Sequence, residues 1–429
     1  MSPLPPLLLR GDCLVELKRI PDESVDAVVT DPPYGLANTD PKHANEALAK
    51  WASGDRTFVP DGRGFMGKAW DRFVPPPAVW DEVMRILAPG GHLLAFAGTR
   101  TFDLMGISIR LAGFEMRDSI AWLYGSGFPK SMDVSKAIDK TLGAEREVIG
   151  RARGALNGNG GNVDYGTFAS SSDGHYDLTA SATDAAREWE GWGTALKPAF
   201  EPIVVARKPL IGTVAANVLE HGTGALNIDA TRIGVSDDSY ARNHSGDRGH
   251  AGTRREDRST NIHAGGGSAS ALGRWPANVA LDESQAAALD AQSGTTKGKR
   301  IKTKRSPDSG SRQAYGNFAG QAGVEIGYDD AGGASRFFYV AKAPRSERPV
   351  VEGVAHSTVK PLTLMRWLIR LVTPPGGCVV DPFAGSGTTL EAAYLEGFES
   401  IGCEMTPDYW PLIGARIQRV TGGPSHAED

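Results

Sequence analysis

VVDPFAGSGTT, residues 379–389, opens on two valines, reaches an acid at Asp381 and turns through Gly385-x-Gly387 into Thr388-Thr389. β-Branched residues favour a strand, and glycines let the backbone take left-handed angles and approach a ligand closely. The stretch therefore reads as strand, Gly-rich turn and helix. Alone, such a turn is also an ordinary tight connection. It gains from Glu404, 17 residues past Gly387 at the end of SIGCE (400–404), where an acid closing the next strand can bind ribose hydroxyls. The pair fits an adenosine-containing cofactor and does not choose between NAD and S-adenosylmethionine.

Outward from this stretch the same alternation continues. On its own side of the chain it predicts a helix from Pro361 to Val372, strand CVVD (378–381), a helix to Glu396 and a final helix from Pro407. At the other end, LLLRGDC predicts a short strand closing at Asp12, then a helix around Leu14, Leu17 and Lys18. VDAVVT (25–30) is the next strand. A helix from Pro77 follows, with Trp80, Val83, Met84 and Leu87 on one face and Gly90-Gly91 beyond its end. HLLAFAG, a helix over Phe102–Leu111 and strand DSIAWLY (118–124) complete the series. Strands alternating with helices favour an α/β fold with a parallel sheet covered on both faces. Neither region has enough strands alone, so one sheet assembled from both ends of the chain is expected.

Composition bounds the rest. The chain has 429 residues, an apolar fraction of 40%, a charged fraction of 23% and a net charge of −5. Such a chain can bury a sizeable core, which excludes wholesale disorder. No apolar run reaches membrane-helix length, and Pro3–Leu9 lacks the length and basic leader of a secretory signal, so a cytoplasmic protein is expected. Three cysteines without ligand spacing argue against structural zinc or a disulfide scaffold, and no metal is expected. Glycine is in excess, and 29 of the 53 lie between Gly150 and Gly333. The expected division is 1–150 and 346–429 in the sheet domain, 151–196 as a flexible Gly/Ser/Asn-rich insertion, 197–210 as a strand returning to the sheet, and 211–345 as a smaller domain.

Asp31-Pro32-Pro33-Tyr34 follows strand VDAVVT, a tetrapeptide expected by chance about 0.003 times in such a chain. A rigid turn with a surface tyrosine is the bland explanation. The chemical one starts from an exocyclic amine on a nucleobase, a poor nucleophile because its lone pair is delocalised into the ring. If the Asp31 carboxylate and the Pro32 carbonyl each accept one amino hydrogen, the nitrogen is held towards tetrahedral geometry and the lone pair is freed. Pro32 and Pro33 fix the backbone so that the two acceptors converge, and Tyr34 offers a face on which a flipped base stacks.

Asp-Pro-Pro-Tyr together with Phe-Ala-Gly-Ser-Gly resembles the amino-group DNA methyltransferases, which bind S-adenosylmethionine on a Rossmann-like sheet. The order, catalytic motif first and cofactor motif last, is similar to the family's permuted β class. The resemblance implies that Asp381, Pro382, Phe383, Ala384, Gly385, Ser386 and Gly387 line the methionine end of the cofactor, that Glu404 holds the ribose and that Asp12 contacts the adenine. HSTVKP (356–361) resembles the family's other cofactor-side motif and implicates Ser357, Thr358 and Lys360; a solvated lysine ahead of a Pro-initiated helix is the competing reading of Lys360. The resemblance also makes 211–345 the target-recognition domain. Asp at the first motif position implies adenine N6 as the target, with cytosine N4 as the alternative. Carbon-5 chemistry needs a cysteine nucleophile, and Cys13, Cys378 and Cys403 read as core. A nicotinamide oxidoreductase would leave Asp-Pro-Pro-Tyr unexplained, and a non-catalytic DNA-binding protein is the remaining rival.

The expected partner is double-stranded DNA, with no membrane, and a homodimer is compatible with the sequence. The acidic net charge argues against DNA until it is resolved along the chain. TTKGKRIKTKR (295–305) holds Lys297, Lys299, Arg300, Lys302, Lys304 and Arg305 and no acid, suited to tracking phosphates. Arg336, Lys342, Arg345 and Arg348 extend that character. Trp122 or Phe128, at the end of a strand, offers a second wall for a base pocket, and a core aromatic is the competing reading. The resemblance suggests a stand-alone enzyme of the kind phages carry, or a member of a restriction-modification pair.

Overall fold

The computed structural model describes residues 3–422 apart from 37–39, 63, 65–68, 126, 128–130, 154–174, 235–272, 300, 303–324, 327, 329, 342–346, 348, 352 and 357. Among the described residues nine strands form one sheet: β1 (Leu7–Arg10), β2 (Val25–Thr30), β3 (Leu87–Phe96), β4 (Glu115–Leu123), β5 (Phe200–Arg207), β6 (Val279–Asp282), β7 (Tyr339–Ala341), β8 (Cys378–Asp381) and β9 (Glu399–Glu404). Their spatial order is β1-β9-β8-β2-β3-β5-β4-β6-β7. From β1 to β3 all neighbours are parallel, and β8 pairs with β2 through Val379↔Ala27 and Val380↔Val28. The two ends of the chain thus share one sheet, as the alternation predicts. β5 runs antiparallel to β3, with Phe96 opposite Ile203.

Helices cover the sheet because their apolar stripes have nowhere else to go. α1 (Pro77–Ile86) starts with Pro77 and buries Val79, Trp80, Val83 and Ile86. Each such side chain contributes about 1.5–3 kcal/mol relative to exposure. α2 (Phe102–Leu111) buries Leu104, Met105 and Ile109 in the same core cluster. α3 (Leu362–Val372) buries Leu364, Met365, Trp367, Leu368 and Ile369, and packs on α4 (Thr388–Leu395), where Thr388 through Ala393 are all buried. No helix among the described residues is long and apolar enough to cross a membrane.

Three expectations need correction. Gly90-Gly91 does not follow a helix end: α1 stops at Ile86 and β3 begins at once. β2 pairs Val25 with Leu87 and Ala27 with His92, so residues 88–91 bulge opposite Asp26, and Gly90 takes φ 81 in that bulge. Second, the region 211–345 is not wholly separate from the sheet. The apolar pieces at 279–282 and 339–341 extend it as β6 and β7, parallel to β4 and to each other. Third, of the stretch 151–196 the residues 154–174 lie outside those described, and the rest is not a featureless insertion but carries regular elements. Residues Tyr124–Phe200 form a compact unit of their own, with Val148–Arg153 paired antiparallel to His175–Thr179 and helices Val134–Thr141 and Asp184–Glu188. Asp139 pins this unit, accepting hydrogen bonds from Arg146, from the backbone of Ala182 and Thr183, and from the Thr183 hydroxyl.

Candidate active site

Parallel strands put their carboxyl ends on one edge of the sheet, and ligands of open α/β folds bind outside that edge. β2 and β8 are neighbours, so the two sequence motifs, about 350 residues apart in the chain, leave the sheet side by side. A hydrogen bond joins them directly: the Thr30 hydroxyl donates to Asp381 Oδ1 at 2.6 Å. Asp381 also accepts from the Thr389 hydroxyl at 2.5 Å and the Phe383 N–H at 3.0 Å. Burial pushes its carboxyl up to about 6 against the opposing pull of these donors. Asp381 is 2% exposed. Its carboxylate therefore braces the Gly-rich turn from beneath.

That turn is tightly made. Gly387 accepts no side chain cheaply at φ 82, and Gly385 sits at φ 53 with the place of a Cβ only 3.2 Å from His356 Nε2. Pro382, Ala384 and Ser386 are buried, while Phe383 and Gly385 are partly open. Glu404, at the end of β9, accepts from Gly385 N–H at 2.8 Å and Thr406 N–H at 2.7 Å. Burial raises its carboxyl, and those donors oppose the rise. Because β1 pairs with β9 at Arg10↔Glu404, Asp12 follows on the same edge; it is exposed and caps the short helix Cys13–Glu16 through Leu14 N–H at 2.8 Å.

The Asp-Pro-Pro-Tyr turn is held from outside its own sequence. Asp71 accepts from the backbone N–H of Tyr34 at 2.9 Å and of Gly35 at 3.1 Å, and the Thr101 hydroxyl donates to the Tyr34 carbonyl at 2.6 Å. Gly35, at φ 64, admits no Cβ because the Phe73 backbone lies 2.7 Å from its place. Among the described residues the Pro32 carbonyl accepts no hydrogen bond, which leaves it open to an incoming donor.

Lys360 is not the solvated lysine of the competing reading: it is a buried ion-pair partner, 7% exposed. Its ammonium donates to Asp31 Oδ2 at 2.7 Å and lies 3.1 Å from Glu201 Oε2, over the rings of Tyr34 and Phe96. Burial alone would favour the neutral amine; the carboxylates of Asp31 and Glu201 outweigh it and hold the ammonium above its ordinary value. The Tyr34 hydroxyl is 2.7 Å from Asp31 Oδ1 and 2.9 Å from Glu201 Oε2, and burial with the two carboxylates keeps the phenol protonated.

Glu201, His356 and Asp71 are the site residues that motif reading missed. Glu201 is the second residue of β5, and an antiparallel strand begins on the edge where its parallel neighbours end, so β5 delivers it there. His356 stacks on Trp70 and meets Tyr409 edge-on, beside the Gly-rich turn. Its neighbour Thr358 is exposed and tied to it through Nδ1, and Ser357 lies outside the described residues. Trp122 is 9% exposed and meets Phe96 edge to face, a core position; Phe128 lies outside the described residues. Lys297 and Lys299 are exposed, and Thr296–Lys297 pairs with Ala331–Gly332. Lys302 lies in the short strand Ile301–Lys302, while Arg300, Lys304 and Arg305, like Lys342, Arg345 and Arg348, fall outside the described residues. All three cysteines are free thiols. Burial pushes Cys13 and Cys378 up to about 12 and Cys403 higher still, the reverse of an activated nucleophile.

Comparison with known proteins bears on the family. A family model of the N6/N4 methyltransferase type, described as a DNA methylase, matches residues 25–414. The type II methyltransferase M.HindIII of Haemophilus influenzae is 22% identical over 427 residues, covering 96% of this chain and 94% of its own. M.XycI of Xanthomonas campestris is 41% identical over 64 residues, 15% of this chain and 21% of its own. Among solved structures, TTHA0409 of Thermus thermophilus covers 98% of this chain and 97% of its own at 16% identity and a TM-score of 0.40. The cytosine-N4-specific PvuII DNA methyltransferase covers 98% and 93% at 13% and 0.38. TM-scores of that size carry no argument about function. The match over residues 25–414 does: the chain belongs to the N6/N4 DNA methylase family.

Proposed function

We propose that the protein is a site-specific DNA methyltransferase that transfers the methyl group of S-adenosylmethionine to N6 of an adenine flipped out of duplex DNA. The observation that carries the reading is the pairing of β2 with β8, which sets the acceptors Asp31 and Pro32 beside the Gly-rich turn and bonds the two through Thr30 and Asp381. The residues present fit the cofactor. Gly385 leaves a gap that a Cβ would fill, and Glu404 accepts from the Gly385 and Thr406 N–H groups and the Thr406 side chain, with lone-pair capacity left for a ribose hydroxyl. Asp12 stands on the neighbouring strand end, within the same edge, for the adenine.

S-Adenosylmethionine supplies an electrophilic methyl group on a sulfonium. The chain supplies orientation. Asp31 and the Pro32 carbonyl accept the two amino hydrogens, pointing the nitrogen lone pair towards the cofactor side. Tyr34 gives the base a stacking face, worth about 1–3 kcal/mol. The nitrogen loses its proton during or after transfer, so Asp31 acts as a positioning acceptor and needs no raised basicity. Adenine is favoured over cytosine by the aspartate at the first motif position. Lys297 and Lys299, exposed on the 296–299 segment, are assigned to the DNA backbone.

Asp31→Ala tests the mechanism. It should abolish methyl transfer while calorimetry shows S-adenosylmethionine binding within a few-fold of wild type. Unchanged turnover in that variant would remove Asp31 from the chemistry.

A further inference from the structure

We infer that Glu201 is a positioning residue for methyl transfer, holding the Lys360 ammonium and the Tyr34 hydroxyl so that Asp31 meets the target amine inside a cluster of net negative charge. The inference rests on the amino-methyltransferase reading above and adds a residue that no motif contains.

Asp31 and Glu201 each carry one formal negative charge, Lys360 one positive, and Tyr34 none, so the half-buried cluster sums to −1. As the amino lone pair bonds to the methyl carbon, the methyl–sulfur bond breaks and its electron pair stays on sulfur. Positive charge thereby moves from sulfur to nitrogen, next to Asp31, until the nitrogen releases its proton to water. A fixed negative charge in a dry site stabilises that positive charge without reorganising. Without Glu201 the cluster sums to zero.

Geometry supplies the second strand. Glu201 Oε2 lies 3.1 Å from Lys360 Nζ and 2.9 Å from Tyr34 Oη, so a single oxygen draws on both groups that also contact Asp31. Loss of the Glu201 charge leaves the ammonium to Asp31 alone, and a carboxylate fully engaged by an ammonium is a weaker acceptor for an amino hydrogen. The groups facing Glu201 are Asp31 and Tyr34 from the turn after β2 and Lys360 from the segment ahead of α3. The Lys360 ammonium also lies over the uncharged ring of Phe96, and Asp381 feels the charge of Asp31. The Tyr34 hydroxyl has one proton for two carboxylate contacts, so it ties Asp31 and Glu201 together through a single donor.

The test is single-turnover transfer from tritiated S-adenosylmethionine to bulk unmethylated bacterial DNA, measured for wild type, Glu201→Gln and Glu201→Asp. For Glu201→Gln the plateau rate should fall about 10- to 100-fold while calorimetric S-adenosylmethionine affinity stays within about threefold. Glu201→Asp, which keeps the charge, should recover most of the rate. A Glu201→Gln plateau equal to wild type, or a Glu201→Asp variant as slow as Glu201→Gln, would each overturn the inference. Should Glu201→Gln fail to bind cofactor, Glu201→Asp decides alone: a recovered rate supports it, loss of rate refutes it. Absence of transfer by the wild-type protein would instead strike the functional reading itself.

Discussion

The bond between Thr30 and Asp381 makes a quantitative prediction, because it is buried, isosterically removable and joined to a titrating acceptor. Thr30→Val deletes a 2.6 Å hydroxyl–carboxylate bond at a residue that is 0% exposed, with almost no change in volume. A hydrogen bond to a charged group is worth about 1.5–3 kcal/mol, and one between neutral groups about 0.5–1.5. Asp381 decides which applies. Its folded value of about 6 lies above the ordinary carboxylate range, so between about pH 4 and 6 the unfolded chain ionises while the native state keeps the proton, and stability falls across that window and levels off above it. At pH 8 the carboxylate is charged and Thr30→Val should cost about 2 kcal/mol. At pH 5 it is mostly protonated and the cost should fall to about 1 kcal/mol. Urea unfolding at the two pH values measures both. The same variant should slow saturating methyl transfer by about tenfold, since Thr30 precedes Asp31 and small displacements of a reacting group are costly. Equal destabilisation at pH 5 and pH 8, or none at either, would refute the assignment of Asp381 as a charged brace between the two motifs.

Two further outcomes follow from the same structure. Lys297→Ala with Lys299→Ala should weaken DNA binding uniformly across sequences and reduce the slope of log K against log salt by about 2, one per lost phosphate contact, as read by fluorescence anisotropy; an unchanged slope would move the DNA face elsewhere. Replacing Cys13, Cys378 and Cys403 together by serine should leave methyl transfer per folded molecule unchanged, and the native thiols should resist maleimide labelling at pH 8, where burial keeps them protonated. Loss of transfer in a folded triple variant would reopen cysteine-based chemistry.

What was legible in the sequence was what repeats locally. Valine runs ending in Asp31 and Asp381 announce strands and the turns that follow them, and the parallel arrangement of their neighbours follows from the intervening helices. The strands β6 and β7 were not legible, because four- and three-residue apolar pieces carry no period of their own and gain meaning only beside β4. The bulge at 88–91 was hidden for a related reason: Gly90-Gly91 serves a helix end and a bulge equally well, and only the pairing of Ala27 with His92 distinguishes them. Within the site, Asp31, Tyr34 and Glu404 could be named because each stands in a spaced motif. Lys360 is ambiguous in sequence, a member of a cofactor-side motif or a solvated lysine ahead of a Pro-initiated helix; its burial over Phe96 and Tyr34 excludes the solvated reading. Asp381 was read with the turn it precedes, while its side chain points back to Thr30 and Thr389. Glu201 left no local signal. An acid in FEPIVV becomes part of the site only because β5 enters the sheet antiparallel and starts where β2 and β3 finish.

In the proposed reaction the acceptors at Asp31 and Pro32 present an adenine amine to the methyl donor. DNA incubated with the purified protein and isotopically labelled S-adenosylmethionine, then digested to nucleosides and resolved by mass spectrometry, should carry label in N6-methyladenine and in no other nucleoside. Label in N4-methylcytosine would overturn the choice of base while keeping the amine chemistry, and label in 5-methylcytosine, or none in DNA at all, would refute methyl transfer to an amine held by Asp31 and Pro32.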